Sequence, residues 1–191
     1  MLPDLLQGLP SDRAFAIYGV APNWVSAALA AHTDPQPFSL YSQRETVCWT
    51  WPIPIQPAND NTSILDIRPE PYSDMTVLNV AIPGGYLDYF QPEPIPFPLV
   101  DMRKGLLISG PLPQWLVTGL VRFYKGQGLP WIALFEPRYS QGVINRGVIV
   151  YSQVPSLQLV GQPSIGLPYR NGLSGSCRTV SMATYLQVDP T

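Results

Sequence analysis

The chain has 191 residues, 46% of them hydrophobic and only 13% charged, with a formal net charge of −2. That length suits one ordinary domain or two small ones with a sizeable core, and the low charge leaves much of the surface neutral or covered by a partner. The N-terminal MLPDLLQGLPSD has no basic region and carries Asp4 and Asp12, so no signal peptide is expected, and no apolar run approaches ~20 residues, so no membrane-spanning helix is expected.

Single prolines, 23 in all, punctuate the whole chain and predict many short elements joined by stiff loops. Cys48 and Cys177 show no metal-ligand spacing. They fit a reduced, cytoplasmic protein, with one long-range disulfide as the alternative. His32 is the only histidine, so a multi-histidine zinc site within one chain is excluded. Residues 1–101 hold three basic and eleven acidic residues, a balance of −8; residues 102–191 hold eight and two, a balance of +6. Either the C-terminal half faces a polyanion or the two halves attract each other.

In chain order, AFAIY at 14–18 reads as a buried strand and Gly19 to Pro22 as a turn. Pro22 to about Ala31 reads as a helix, with proline in the first turn, where its missing N–H costs nothing. Trp24, Val25, Ala28 and Leu29 recur at helical spacing as its buried face. FSLY at 38–41 and TVCWTW at 46–51 read as strands. The Pro-, Asn-, Asp- and Ser-rich residues 52–73 read as a linker or long loop. MTVLNVAI at 75–82 reads as a strand ended by Gly84-Gly85, and 91–98 as extended.

The stretch Val100 to Arg138 reads as strand, tight turn, helix, loop and strand, and it repeats the opening at an offset of 91. Leu106–Ser109 falls opposite Phe15–Tyr18, Gly110 opposite Gly19, Pro113 opposite Pro22, Trp115 opposite Trp24 and Leu120 opposite Leu29. Shared geometry explains the match: glycine permits the turn, proline starts the helix and tryptophan buries one end of it. Further strands are expected at 147–151 and 156–160, a glycine-rich loop at 161–176, and a terminal strand at 179–188 that closes the first copy's sheet.

Few residues carry chemistry. Gly110, Pro111 and Pro113 precede a helix N-terminus, which attracts anions, but no phosphate-loop signature is present. Arg103-Lys104 precedes a strand, and Arg122 and Lys125 are expected on an exposed helix face, as a basic surface or merely a solvated one. Glu136 and Arg138 end a strand expected to lie centrally in the sheet and, two residues apart, point the same way. They suit a metal-bound water and a phosphate respectively, or an ordinary surface ion pair. His32 stands at the end of the first helix, as a cap or as a catalytic group.

The block Val100-Asp101-Met102-Arg103-Lys104-Gly105, then Ile108-Ser109-Gly110, Pro113, Trp115-Leu116 and Pro137-Arg138, resembles a CRISPR-associated family, the small manganese-dependent ring nucleases of type III systems. The resemblance covers roughly residues 75–160. It implies a small α/β protein that binds cyclic tetra-adenylate, with manganese as cofactor. It places Ser109 and Gly110 beside the ligand's backbone, makes Arg138 a phosphate contact, and sets Glu136 where the family has a supporting aspartate. The family's helix-end histidines are replaced by Lys125-Gly126-Gln127-Gly128; the first copy has His32-Thr33-Asp34 there, and Ser42 or Gln43 in place of the aspartate. Binding without efficient cleavage is the consequence, since losing a general acid–base commonly costs ~10²–10⁴ in rate.

The sequence therefore predicts an α/β protein of two pseudo-twofold-related small mixed-sheet units, each strand–turn–helix–strand with one main helix. Residues 1–73 form a degenerate first repeat and linker, 74–160 a family-like second repeat, and 161–191 a loop and terminal strand. The expected catalytic residues are Glu136 and His32; the expected ligand contacts are Arg138, Ser109, Gly110, Arg103 and Lys104. Expected partners are cyclic oligoadenylate or RNA, type III effector components and further copies of the chain. The competing expectation is a non-enzymatic structural subunit of a CRISPR ribonucleoprotein.

Overall fold

The computed structural model describes residues 6–10, 12–19, 21–41, 48–58, 64–89, 94–136, 147–153 and 160–162. The first unit runs β1 (Phe15–Ile17), α1 (Asn23–Thr33), β2 (Phe38–Tyr41) and β3 (Trp49–Thr50). β2 pairs parallel with β1 and antiparallel with β3. Two short strands follow, β4 (Ile55–Pro57) and β5 (Asp66–Pro71), then β6 (Met75–Ala81) and β7 (Ile95–Phe97). The second unit runs β8 (Gly105–Ser109), α2 (Gln114–Gly126), β9 (Trp131–Phe135) and β10 (Gly147–Ser152). It repeats the first unit's order: parallel strands β8 and β9 bracket the helix, and β10 returns antiparallel. Gly19 (φ +119°) and Gly110 (φ +144°) form corresponding turns, and Pro22 and Pro113 stand at corresponding helix N-caps.

The larger sheet has the order β10-β9-β8-β6-β5, and β4 pairs with β7 in a separate ribbon. Two expectations are corrected here. β8, not β9, is the central strand. Residues 52–73 are not a plain linker, because they carry β4 and β5. Pro69 and Pro71 sit within β5, where an edge strand tolerates a missing donor.

Both faces of the larger sheet are apolar. Leu78, Val80, Leu106, Ile108, Ile132 and Leu134 join the helices' core, while Met75, Val77, Leu107, Trp131, Ala133 and Ile149 cluster on the opposite face. Alternate residues pointing to two buried faces explain why these strands read as unbroken apolar runs. The Trp131 ring lies directly over Gly105, where a Cβ would sit 1.8 Å from it, so this site has room only for glycine.

α1 packs against β2, α2 and β10 at once. Its burial is therefore wider than the one face expected: Ser26, Ala27, Ala30 and Ala31 are buried together with Ala28 and Leu29, whereas Trp24 and Val25 are only half-buried. The two matching tryptophans thus differ, since Trp115 is 2% exposed. A smaller core joins Leu6, Leu29, Ala30, Phe38 and Leu40, with Val160 packed against it. Residues 160–162 lie along β10: the Gly161 N–H donates to the Ile149 carbonyl (2.8 Å) and the Ile149 N–H to that of Gln162 (3.0 Å). Otherwise the strands expected at 156–160 and 179–188 lie outside the described residues.

Candidate functional site

The parallel pairs β1–β2 and β8–β9 each send their helix back from the carboxyl end, so each helix begins where its glycine turn leaves the sheet. The two starts lie side by side. Asn23 Nδ2 donates to the Leu112 carbonyl (2.8 Å), and Gln114 Nε2 donates to the Ala21 carbonyl (2.6 Å). Offset 91 relates Asn23 to Gln114 and Ala21 to Leu112, so the bonds are reciprocal, as across a twofold axis. Neither helix start has a side-chain cap. The result is a seam of two glycine turns and two helix N-termini at the carboxyl ends of both parallel strand pairs. Open α/β sheets bind ligands at that end, and helix starts favour anions.

Ser109, Gly110 and Glu136 stand on this edge. Ser109 is half-buried at the end of β8, opposite Asn79 of β6. Gly110 is exposed, and a Cβ there would lie 2.0 Å from the Val80 carbonyl oxygen, so the backbone of the turn comes close to β6. Glu136, half-buried, follows β9 directly; continuing the Ile108–Leu134 register sets it level with Gly110. Arg138 lies outside the described residues, as do Ser42 and Gln43.

The other expected residues stand elsewhere. Arg103 and Lys104 precede β8, so its five residues, roughly 17 Å of strand, separate them from Ser109 and Gly110. Arg103 forms a bidentate pair with Asp101 (both 3.0 Å) and donates its backbone N–H to the same carboxylate (3.1 Å). These bonds hold the Asp101 carboxyl down at about 2. Lys104 Nζ donates to the Tyr72 carbonyl (2.5 Å). His32 occupies the last turn of α1, roughly 14 Å along the helix from Asn23. The structure therefore does not bring His32 together with Glu136.

Arg122 and Lys125 are not on an exposed face. Their side chains are 17% and 22% exposed, and they close the C-terminal end of α1. Arg122 donates to the carbonyls of Ala30 (3.0 Å) and Gln36 (2.8 Å) and to Thr33 Oγ1 (3.2 Å), with its guanidinium over the Phe38 ring. Lys125 donates to the Ala31 carbonyl (2.7 Å) and pairs with Asp34 (3.2 Å). Carbonyls left open at a helix end attract cations, which explains the placement. Burial pushes the Arg122 guanidinium down, and Asp34 partly offsets this. At this contact the basic and acidic halves attract each other.

The pattern of residues 15–18 and 38–41 held a further signal that periodicity alone does not interpret. Phe-Ala-Ile-Tyr and Phe-Ser-Leu-Tyr alternate identically, so Tyr18 and Tyr41 share the sheet face opposite the one that packs α1. The seam residues Asn23 and Gln114 were likewise marked only by their equal distance from the matching prolines.

Among the described residues, no three His, Cys, Asp or Glu side chains gather to hold a metal ion. Cys48 is a free, exposed thiol; Cys177 lies outside the described residues. No described helix is long and apolar enough to cross a membrane. No curated protein matches the chain. Residues 82–163, which contain β7, β8, α2, β9 and β10, match the family model of a CRISPR-associated protein (Cas_csx3), and this match supports a CRISPR-associated family for the unit that supplies Ser109, Gly110 and Glu136.

Proposed function

We propose that this chain is a type III CRISPR accessory protein that binds cyclic tetra-adenylate across the seam, with weak or lost ring cleavage. The observation that carries the reading is the reciprocal pair Asn23–Leu112 and Gln114–Ala21, which joins two glycine turns and two helix starts into one pseudo-symmetric edge. A cyclic tetranucleotide has matching symmetry and an anionic backbone suited to helix N-termini. Tandem duplication of one unit accounts for the shared element order and the offset of 91. Weak cleavage follows from the position of His32, a helix length away from Glu136: without a general acid–base the rate falls ~10²–10⁴-fold.

A second reading, a non-enzymatic subunit of a CRISPR ribonucleoprotein, draws support from the cations. Arg103, Lys104, Arg122 and Lys125 are all engaged within the chain. Titration calorimetry with cyclic tetra-adenylate at two salt concentrations separates the readings. Binding that weakens with salt supports the ligand reading. No binding at millimolar ligand supports the subunit. Rapid conversion to linear di-adenylate in the presence of manganese, abolished by His32→Ala, would overturn the loss of cleavage.

A further inference from the structure

Across the first unit's sheet, Tyr18, Tyr41 and Trp49 form a row. The Tyr18 and Tyr41 ring centroids are 4.6 Å apart with the rings tilted, and Tyr41 meets Trp49 edge-on at 5.4 Å. The register explains the row. Tyr41 lies opposite Trp49 in the antiparallel pair, and Tyr18 continues the parallel register that ends at Ile17–Leu40. Phe15, Ile17, Phe38 and Leu40 fill the core on the other face. On the outer face, the positions before the two tyrosines are Ala16, exposed, and Ser39, half-buried, so small side chains leave the surface beside the rings open.

Cross-strand aromatic contacts stabilise a small sheet, and this accounts for Tyr41 and Trp49, which are both half-buried. It does not account for Tyr18, which is 75% exposed. Tyr18 also adjoins Gly19, where a Cβ would meet nothing within 4 Å, and stands three residues before Ala21, whose carbonyl accepts the seam bond from Gln114. An open aromatic row on a sheet surface, at the rim of an edge built for an anionic backbone, is the arrangement on which unpaired nucleobases stack.

We infer that Tyr18, backed by Tyr41 and Trp49, is a stacking platform for an adenine base of an oligoadenylate bound at the seam. The inference rests on the ligand reading above and adds a division of labour to it. The second unit takes the backbone at Ser109 and Gly110; the first unit takes a base. At position 18 the first unit has a tyrosine where the second has Ser109, so the two halves present different chemistry to a symmetric ring.

The test is calorimetric binding of cyclic tetra-adenylate and of linear hexa-adenylate to the full chain, to Tyr18→Ala and to Tyr18→Phe. Stacking predicts that Tyr18→Ala weakens binding roughly 10-fold or more, that Tyr18→Phe restores it, and that Tyr18→Ala stays folded, with its melting temperature lowered only by the loss of one exposed cross-strand aromatic pair. If the natural chain binds the cyclic ligand and Tyr18→Ala binds it equally well, the stacking inference is overturned while the ligand reading stands. If only the linear ligand binds and Tyr18→Ala weakens it, the platform stands and the cyclic ligand does not. If neither ligand binds the natural chain, both fall.

Discussion

Asn23 and Gln114 hold the same position in two different helices, and each donates its side-chain amide to a carbonyl in the other's turn. A homodimer would make this contact twice with one residue. Here a single chain makes it with two, and the longer glutamine and shorter asparagine absorb the difference between the units. A neutral hydrogen bond contributes about 1 kcal/mol net. Asn23→Ala and Gln114→Ala are therefore each expected to lower unfolding free energy by about 1 kcal/mol in urea titrations. A large loss for one and none for the other would contradict a reciprocal seam.

At the far end of the helix pair, Arg122 satisfies the Ala30 and Gln36 carbonyls and the Thr33 hydroxyl with one planar group. Removing it leaves partly buried acceptors unpaired, and Asp34 loses one of its two cationic neighbours. Arg122→Ala is expected to cost roughly 2–3 kcal/mol. Arg122→Lys is expected to recover less than half of that, because one ammonium cannot span the three acceptors. Chemical denaturation of the two variants checks both statements, and a fully stable Arg122→Lys would show that charge alone matters there.

The matching glycines are expected to respond unequally. Both have positive φ, so alanine is strained at either position by about 1–3 kcal/mol. At Gly19 strain is the whole cost, since a Cβ meets nothing within 4 Å; at Gly110 it would also press on the Val80 carbonyl at 2.0 Å. Gly110→Ala should thus lower stability by at least about 1 kcal/mol more than Gly19→Ala. Thermal melts of the two variants measure the difference, and equal losses would mean that β6 and the turn do not approach closely.

Local pattern was enough for much of the fold. Short apolar runs marked Phe15–Ile17, Phe38–Tyr41 and Met75–Ala81, and glycine and proline chemistry marked both helix starts. These features depend on neighbours a few residues apart, which is the range over which backbone sterics and side-chain period act. The edge role of β5 was hidden because two prolines in six residues imitate a loop, and only pairing with β6 makes them an edge strand. The fates of Arg122 and Lys125 were decided by partners 86 to 94 residues away, which no local window contains. Periodicity says that a helix face is covered; it does not say by what. For the same reason the candidate residues could be named from sequence but not grouped. Strand direction sets Ser109, Gly110 and Glu136 on one edge, and the length of a helix carries His32 to the other.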